Sequence, residues 1–196
     1  MSLRRRENWY LRGWEYRENA QKNGRPGGDL VYVGEYYSFH VCPAALVRLK
    51  AAYAVLTAAF LILYVLLSLE TPTGSRTVWG GACILTIIPL MYLLMGCYCL
   101  LRSEPKMTDR SKHASWSRVH YASMLSTFLL GIAAVGELVY LLHVSVPPAV
   151  DVRWLLELTA CLACSCGILI LSCRFPARMV LPEPSGSGAG KEYQGS

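Results

Sequence analysis

The residues best able to do chemistry in this sequence are two acids within long apolar stretches. Glu137 lies nine residues before Val146, where one stretch ends, and Glu157 lies near the start of the next stretch. An ionisable group at membrane depth is costly, usually faces the interior of a helix bundle, and often marks a path for protons or ions. No Lys or Arg lies far enough inside an apolar stretch to reach the membrane depth of Glu137 and neutralise it. These acids therefore predict a proton or cation site, with His120 and Thr127 as further candidates.

The same acids also have a structural interpretation. Helical spacing places each acid on a stripe of small and polar residues, and such stripes let helices pack closely in a membrane. In this alternative, Glu137 hydrogen-bonds to a hydroxyl or carbonyl group, and Glu157 forms an ion pair with Arg153 one turn earlier. The two stripes would bring both carboxyl groups into one interior layer. The sequence leaves the functional and the structural interpretations open.

Cysteines form the second candidate for chemistry, because seven of the eight lie in apolar stretches and two of them form a CxxC motif, Cys161 and Cys164. At this motif the chain resembles the four-helix, quinone-linked disulfide-forming enzymes related to vitamin K epoxide reductase. The resemblance covers four residues and implies a membrane thiol–disulfide oxidoreductase that uses these two sulfurs. That family also passes electrons through cysteines of an extracytoplasmic loop, and the predicted outer loops of this chain contain none. Otherwise, a thiol in apolar surroundings is a small, inert hydrophobic group.

Other kinds of site have little support in the sequence. The histidines are not grouped at the spacing of metal ligands. The sequence contains no recognisable phosphate-binding glycine motif and no recognisable coupled Ser/His/Asp array. We therefore expect no metal and no cofactor, and the leading functional prediction is a protein without intrinsic catalysis.

These residues lie on a chain of 196 residues that is 54% hydrophobic and only 16% charged. Soluble domains average roughly 45–50% and about 25%, so the composition disfavours a soluble fold. Apolar stretches long enough to cross a bilayer as helices recur between charged segments. Because the outer loops are short, successive helices should pack antiparallel. We predict an all-α integral membrane protein, a bundle of four transmembrane helices at about 43–69, 77–101, 119–146 and 154–173, with Pro89 kinking the second helix.

Lysine and arginine alternate strictly across these spans. Residues 1–50 carry nine, the three predicted loops carry one, five and one, and the tail carries three. Basic residues near span ends resist translocation, so both termini should be cytoplasmic in a plasma or inner membrane. The net charge of +6 should attract anionic headgroups at the cytoplasmic face, and nucleic acid is not an expected partner.

The flanks of the predicted membrane domain, which covers residues 43–180, have their own patterns. Within a cytoplasmic arm of residues 1–42, residues 1–23 mix arginines with aromatic residues as an interfacial helix does. Residues 30–39 suit a small β-hairpin that turns at Gly34 and Glu35. Residues 181–196 are rich in Pro, Gly and Ser and should be a disordered cytoplasmic tail. Five tryptophans fit interfacial anchors: Trp9, Trp14, Trp79, Trp116 and Trp154.

The leading functional prediction is a non-catalytic accessory or scaffold subunit of a membrane complex. Its partner would be another copy of the chain or another membrane protein, contacted through helix faces and the cytoplasmic arm. One alternative is a proton- or cation-coupled transporter or channel component that uses Glu137 and Glu157. A further alternative is the membrane thiol–disulfide oxidoreductase that uses Cys161 and Cys164.

Overall fold

A computed structural model describes residues 14–19, 27–32, 34–39, 41–69, 78–143 and 149–180. These segments are mostly helical, with five short strands in two sheets. The strands are β1 (Trp14–Asn19), β2 (Gly27–Tyr32), β3 (Tyr36–Ser38), β4 (Lys106–Thr108) and β5 (Arg178–Val180). The helices are α1 (Pro43–Leu69), α2 (Val78–Leu85), α3 (Ile87–Arg102), α4 (Asp109–Lys112), α5 (Arg118–His143) and α6 (Ala149–Arg174).

Four helical segments are long and apolar enough to cross a membrane, which confirms the prediction at that level. They are Pro43–Leu69, Gly80–Arg102, Asp109–His143 and Ala149–Arg174. The third is longer than predicted, because α4 and a π-helical turn at His113–Ser117 continue directly into α5. The fourth begins five residues earlier than predicted, and this shift changes which acids enter the bundle.

The second segment is interrupted at Thr86, between α2 and α3. Pro89 has no backbone N–H to donate to the carbonyl of Leu85, and its ring crowds that carbonyl, so the predicted interruption has a direct cause. The Thr86 hydroxyl donates to the carbonyl oxygen of Ala82 at 3.0 Å. The hydroxyl thereby satisfies the carbonyl of Ala82, whose usual donor, the backbone N–H of Thr86, bonds instead to the carbonyl oxygen of Cys83 at 3.1 Å.

A three-stranded sheet joins distant segments at one end of the helices. Strand β3 lies in the centre and pairs antiparallel with β4 on one side and β5 on the other. Tyr37 is the register partner of both Met107 and Met179. Consequently the start of α1, the end of α3 and the end of α6 lie together. We call this region, comprising residues 34–39, 103–117 and 175–180, the cap.

One prediction about the N-terminal arm is wrong, and a second is wrong over the residues that the structure describes. The predicted hairpin within residues 30–39 does not form, because β2 pairs with β1 while β3 pairs with β4 and β5. A short strand gains more from two partners than from one marginal hairpin. The predicted interfacial helix over residues 1–23 includes residues 14–19, which form a strand. Aromatic and charged residues alternate there at Trp14 to Arg17, the period of a strand. Residues 1–13 and 20–23 lie outside the described segments.

The buried core runs along the helix contacts, chiefly α5 with α6, α1 with α6, and α3 with α5. Buried positions of α6 are spaced alternately three and four residues apart, which is the heptad pattern of knobs-into-holes packing. They are Asp151, Trp154, Leu158, Cys161, Ser165, Ile168 and Ser172. The outward faces carry large apolar side chains that are exposed, including Ile62, Ile84, Phe128 and Leu156.

Candidate functional site

The most deeply buried acid is Glu137, in the last three turns of α5. Its side chain is 1% exposed, and its Oε1 atom has no hydrogen-bond partner within the described segments. Asp151, in the first turn of α6, is fully buried and close enough to interact electrostatically with Glu137. The two carboxyl groups therefore form a buried pair between α5 and α6.

Asp151 was missed in the sequence because it falls in a predicted loop. Helix α6 begins at Ala149, and this earlier start carries Asp151 into the bundle. A signal was present nonetheless, since Asp151, Ser165 and Ser172 are separated by fourteen and seven residues. That spacing repeats the heptad and marks one polar stripe on α6. An acid in the first helical turn also suits the helix dipole.

Glu157 does not belong to the buried stripe, because it directly precedes the stripe residue Leu158. Its Oε1 atom accepts a hydrogen bond from Nε of Arg153 at 3.2 Å, which is the ion pair of the structural alternative. The Glu157 side chain is 16% exposed and that of Arg153 is 69% exposed. The acid that lies near Glu137 is thus Asp151, whereas Glu157 lies at the edge of the bundle and is paired with Arg153.

His120 and Thr127 are used in the contact between α5 and α6. The Nδ1 atom of His120 lies 2.9 Å from the Ser172 hydroxyl, and the Thr127 hydroxyl lies 2.9 Å from that of Ser165. The Ser165 hydroxyl also donates to the carbonyl oxygen of Ser123 at 3.2 Å. These bonds form a polar seam near the cap end, in which both candidate residues have partners on the facing helix.

The polar seam and the carboxyl pair are separate layers of the interior. Thr127 precedes Glu137 by ten residues, which corresponds to about 15 Å of helical rise. Fully buried apolar side chains of Leu130, Ala133 and Leu158 lie between the two layers. The four predicted ion or proton residues are therefore not brought together: His120 and Thr127 lie in one layer, Glu137 in another, and Glu157 at its edge.

The cysteines of the CxxC motif lie on one face of α6 and are free thiols, as are all eight cysteines. Cys161 is fully buried and lies near Cys83 of α2 and Glu157, while Cys164 is partly buried. A sulfur without exposed surface cannot meet a substrate disulfide unless the helices move, which disfavours thiol exchange at Cys161. Within the described segments, no group of three or more His, Cys, Asp or Glu residues could hold a metal ion.

The predicted tryptophan anchors need correction at one position. Trp154 is 4% exposed and belongs to the buried stripe of α6, because the early helix start turns this residue inward. Trp116 is half-buried and stacks on His120, with 5.3 Å between ring centroids. The Trp14 and Trp79 side chains and the whole of Trp9 lie outside what the structure describes.

The cap end gathers most of the Lys and Arg residues of the described segments. Four segments lie at this end: residues 34–39, 41–50, 102–118 and 174–180. Together they contain nine Lys and Arg residues and three acids. Several of these cations have defined contacts. The Lys50 ammonium donates to the carbonyl oxygens of Leu101 and Ser103 at the end of α3, and Lys112 lies over the Tyr37 ring at 3.7 Å. The cap is therefore a basic surface that is tied to α1, α3 and α4.

Comparison with protein-family models, with curated proteins and with solved structures found no match for this chain.

Proposed function

We propose that this chain is an integral membrane protein, an antiparallel four-helix bundle that acts as a non-catalytic accessory subunit of a membrane complex. Four apolar helices with exposed Ile, Leu and Phe side chains support insertion in a bilayer. In water such a continuous apolar surface would be an aggregation hazard, whereas lipid tails make it favourable. The membrane would be a plasma or inner membrane.

The charge distribution supports an orientation with the cap and both termini in the cytoplasm. The cap end carries nine cations against three acids, and the described part of the opposite end carries only Arg153 as a cation. Cytoplasmic flanks are enriched in Lys and Arg, so the cap end is the one that should stay inside.

The observation that carries the accessory role is the sheet of the cap. It joins three segments that are distant in the chain, and its outer strands β4 and β5 each have one strand partner. The outer edge of such a strand is a template for an added strand of another protein. By contrast, the polar seam of the interior is satisfied by bonds between α5 and α6, as expected of groups that hold helices together.

Reporter fusions test the orientation. A reporter that is active only in the cytoplasm should be active when it is fused after Ser196, and inactive when it is inserted within residues 144–148. The opposite pattern would refute the orientation, and recovery of the chain in the soluble fraction would refute insertion.

Site-specific photocrosslinking tests the accessory role. A photoreactive residue at Met179, which is exposed on edge strand β5, should give one protein adduct in cells, and so should one at Lys106 on β4. Phe128, exposed on α5, is the control and should crosslink to lipid. Cap positions that crosslink to no protein would contradict the proposal.

A second candidate function is supported by the buried pair of Glu137 and Asp151, since a carboxyl pair can bind a proton or a cation. In this case the chain would be a transporter or channel component. Proton or cation flux into proteoliposomes should then be lost in both Glu137→Gln and Asp151→Asn and retained in Glu157→Gln, which removes only the ion pair with Arg153. Equal flux in all variants and in empty vesicles would refute this candidate.

A further inference from the structure

A close contact between α3 and α5 positions an arginine on the outer surface of the bundle. Gly96 lies so near α5 that a Cβ atom added to it would be 2.9 Å from the Cβ of Arg118. The absence of a side chain on Gly96 thus allows Arg118 to lie in the groove between the two helices. Its guanidinium lies over the ring of Tyr92, with Cζ 5.2 Å from the ring centroid.

Arg118 lacks an acidic partner among the residues that the structure describes. Two ion pairs of the described segments, His113 with Asp109 and Arg153 with Glu157, involve other residues. A contact with the face of an aromatic ring does not use a hydrogen-bond acceptor, so the N–H groups of the guanidinium can still donate to a ligand. A planar cation with open N–H edges on an apolar surface matches the phosphate group, which guanidinium binds through paired hydrogen bonds.

The level of Arg118 in the bundle also fits a headgroup. His120, two residues later, is bonded to Ser172 near the end of α6, so Arg118 lies close to the level of Arg174 at the basic end. Helical spacing places Ile88 one turn from Tyr92 on α3 and Leu125 two turns from Arg118 on α5, toward the opposite end of the bundle. Both side chains are apolar and exposed. The groove therefore has a cation at its cap end and apolar side chains along the rest of its length, which is complementary to the headgroup and acyl chains of a phospholipid.

We propose that the groove between α3 and α5 binds one anionic phospholipid, whose phosphate contacts Arg118 and whose acyl chains lie along the exposed apolar side chains. The proposal rests on the membrane location proposed above, and it depends on neither the orientation nor the accessory role. Charge complementarity favours an anionic lipid, because the headgroup of a zwitterionic lipid carries a cation that would lie near Arg118.

The test is a lipid titration of the purified full chain in a mild non-ionic detergent, followed by native mass spectrometry. Phosphatidylglycerol is compared with phosphatidylcholine of the same acyl chains, and inorganic phosphate forms a third arm. Wild type should retain one phosphatidylglycerol more tightly than phosphatidylcholine. Arg118→Gln should weaken phosphatidylglycerol binding by about tenfold or more, since it removes a charged hydrogen-bonding partner.

Arg174→Gln is the matched control, because it removes an exposed arginine at the same end of the bundle but outside the groove. It should change the affinity by less than about twofold, as expected of a screened surface charge. Equal binding of the two lipids, or an equal loss in Arg174→Gln, would overturn the proposal in favour of diffuse attraction. Competition by millimolar inorganic phosphate would also overturn it, in favour of a free-anion site.

Tyr92→Leu provides a second variant that leaves Arg118 in place. It removes the ring beneath the guanidinium, so the affinity for phosphatidylglycerol should fall by a smaller factor while binding of phosphatidylcholine stays unchanged. Unchanged affinity in both Tyr92→Leu and a folded Arg118→Gln would overturn the site. The titration measures lipid selectivity, so its failure is distinguishable from failure of the reporter fusions or the crosslinking.

Discussion

Replacing Gly96 by alanine tests the tightest helix contact in the bundle. The added Cβ would lie 2.9 Å from Cβ of Arg118, 3.1 Å from Cγ2 of Val119 and 3.1 Å from the backbone nitrogen of Val119. A backbone atom cannot rotate away, so α3 and α5 must separate. An extra methyl group in a packed contact costs about 1–3 kcal/mol.

Gly131→Ala is the matched control, because nothing lies within 4 Å of a Cβ at this position of α5. Both substitutions share the gain in helix propensity of about 0.8–1 kcal/mol, and this gain cancels when the two variants are compared. Gly96→Ala should therefore be about 1–3 kcal/mol less stable than Gly131→Ala.

Thermal unfolding in detergent, followed by circular dichroism, measures the difference. For a chain of this size, 1 kcal/mol corresponds to about 2–4 °C, so the Tm values should differ by about 2–12 °C. If Gly96→Ala melts within about 1 °C of Gly131→Ala, the close approach of α3 and α5 is wrong. The lipid groove built on that approach would then lose its geometric basis.

Three further predictions concern the interior. Glu137→Gln should keep or raise the Tm, since it replaces one of two neighbouring buried carboxyl groups by a neutral amide of nearly the same shape; a Tm lower by more than about 4 °C would contradict the carboxyl pair. A double-mutant cycle of Thr127→Val with Ser165→Ala should give a coupling free energy of about 0.6 kcal/mol in thermal unfolding, and zero coupling would contradict the seam. In folded protein, a water-soluble maleimide should label exposed Cys42 quickly and buried Cys161 only after unfolding, as measured by peptide mass spectrometry. Rapid labelling of Cys161 would revive the oxidoreductase alternative.

The polar seam and the carboxyl pair support different functions. The seam of His120, Thr127 and their serine partners is bonded across α5 and α6, and such bonds stabilise helix association in an apolar medium. The pair of Glu137 and Asp151 is the more costly feature, because it buries two acids at one end. Flux measurements on Glu137→Gln and Asp151→Asn are therefore the most direct way to separate the accessory role from transport.

The sequence by itself determined the four apolar helices, because the need for about 20 apolar residues is local and additive along the chain. It also determined the interruption near Pro89, which follows from a missing N–H, and the ion pair of Arg153 with Glu157, which lies within one helix. Each of these features depends on residues that are neighbours in the chain.

Tertiary structure decided which of several possible faces of each helix is buried. In α6, apolar residues occur all around the helix, so hydropathy does not reveal its rotation, and the true stripe excludes Glu157 while it includes Asp151 and Trp154. Tertiary structure also decided the sheet, since strands of three residues are too short for a periodic signal and Tyr37 pairs with residues far away in sequence. Packing between distant segments sets both outcomes, because rotating a helix or exchanging a strand partner leaves every local pattern in the sequence unchanged.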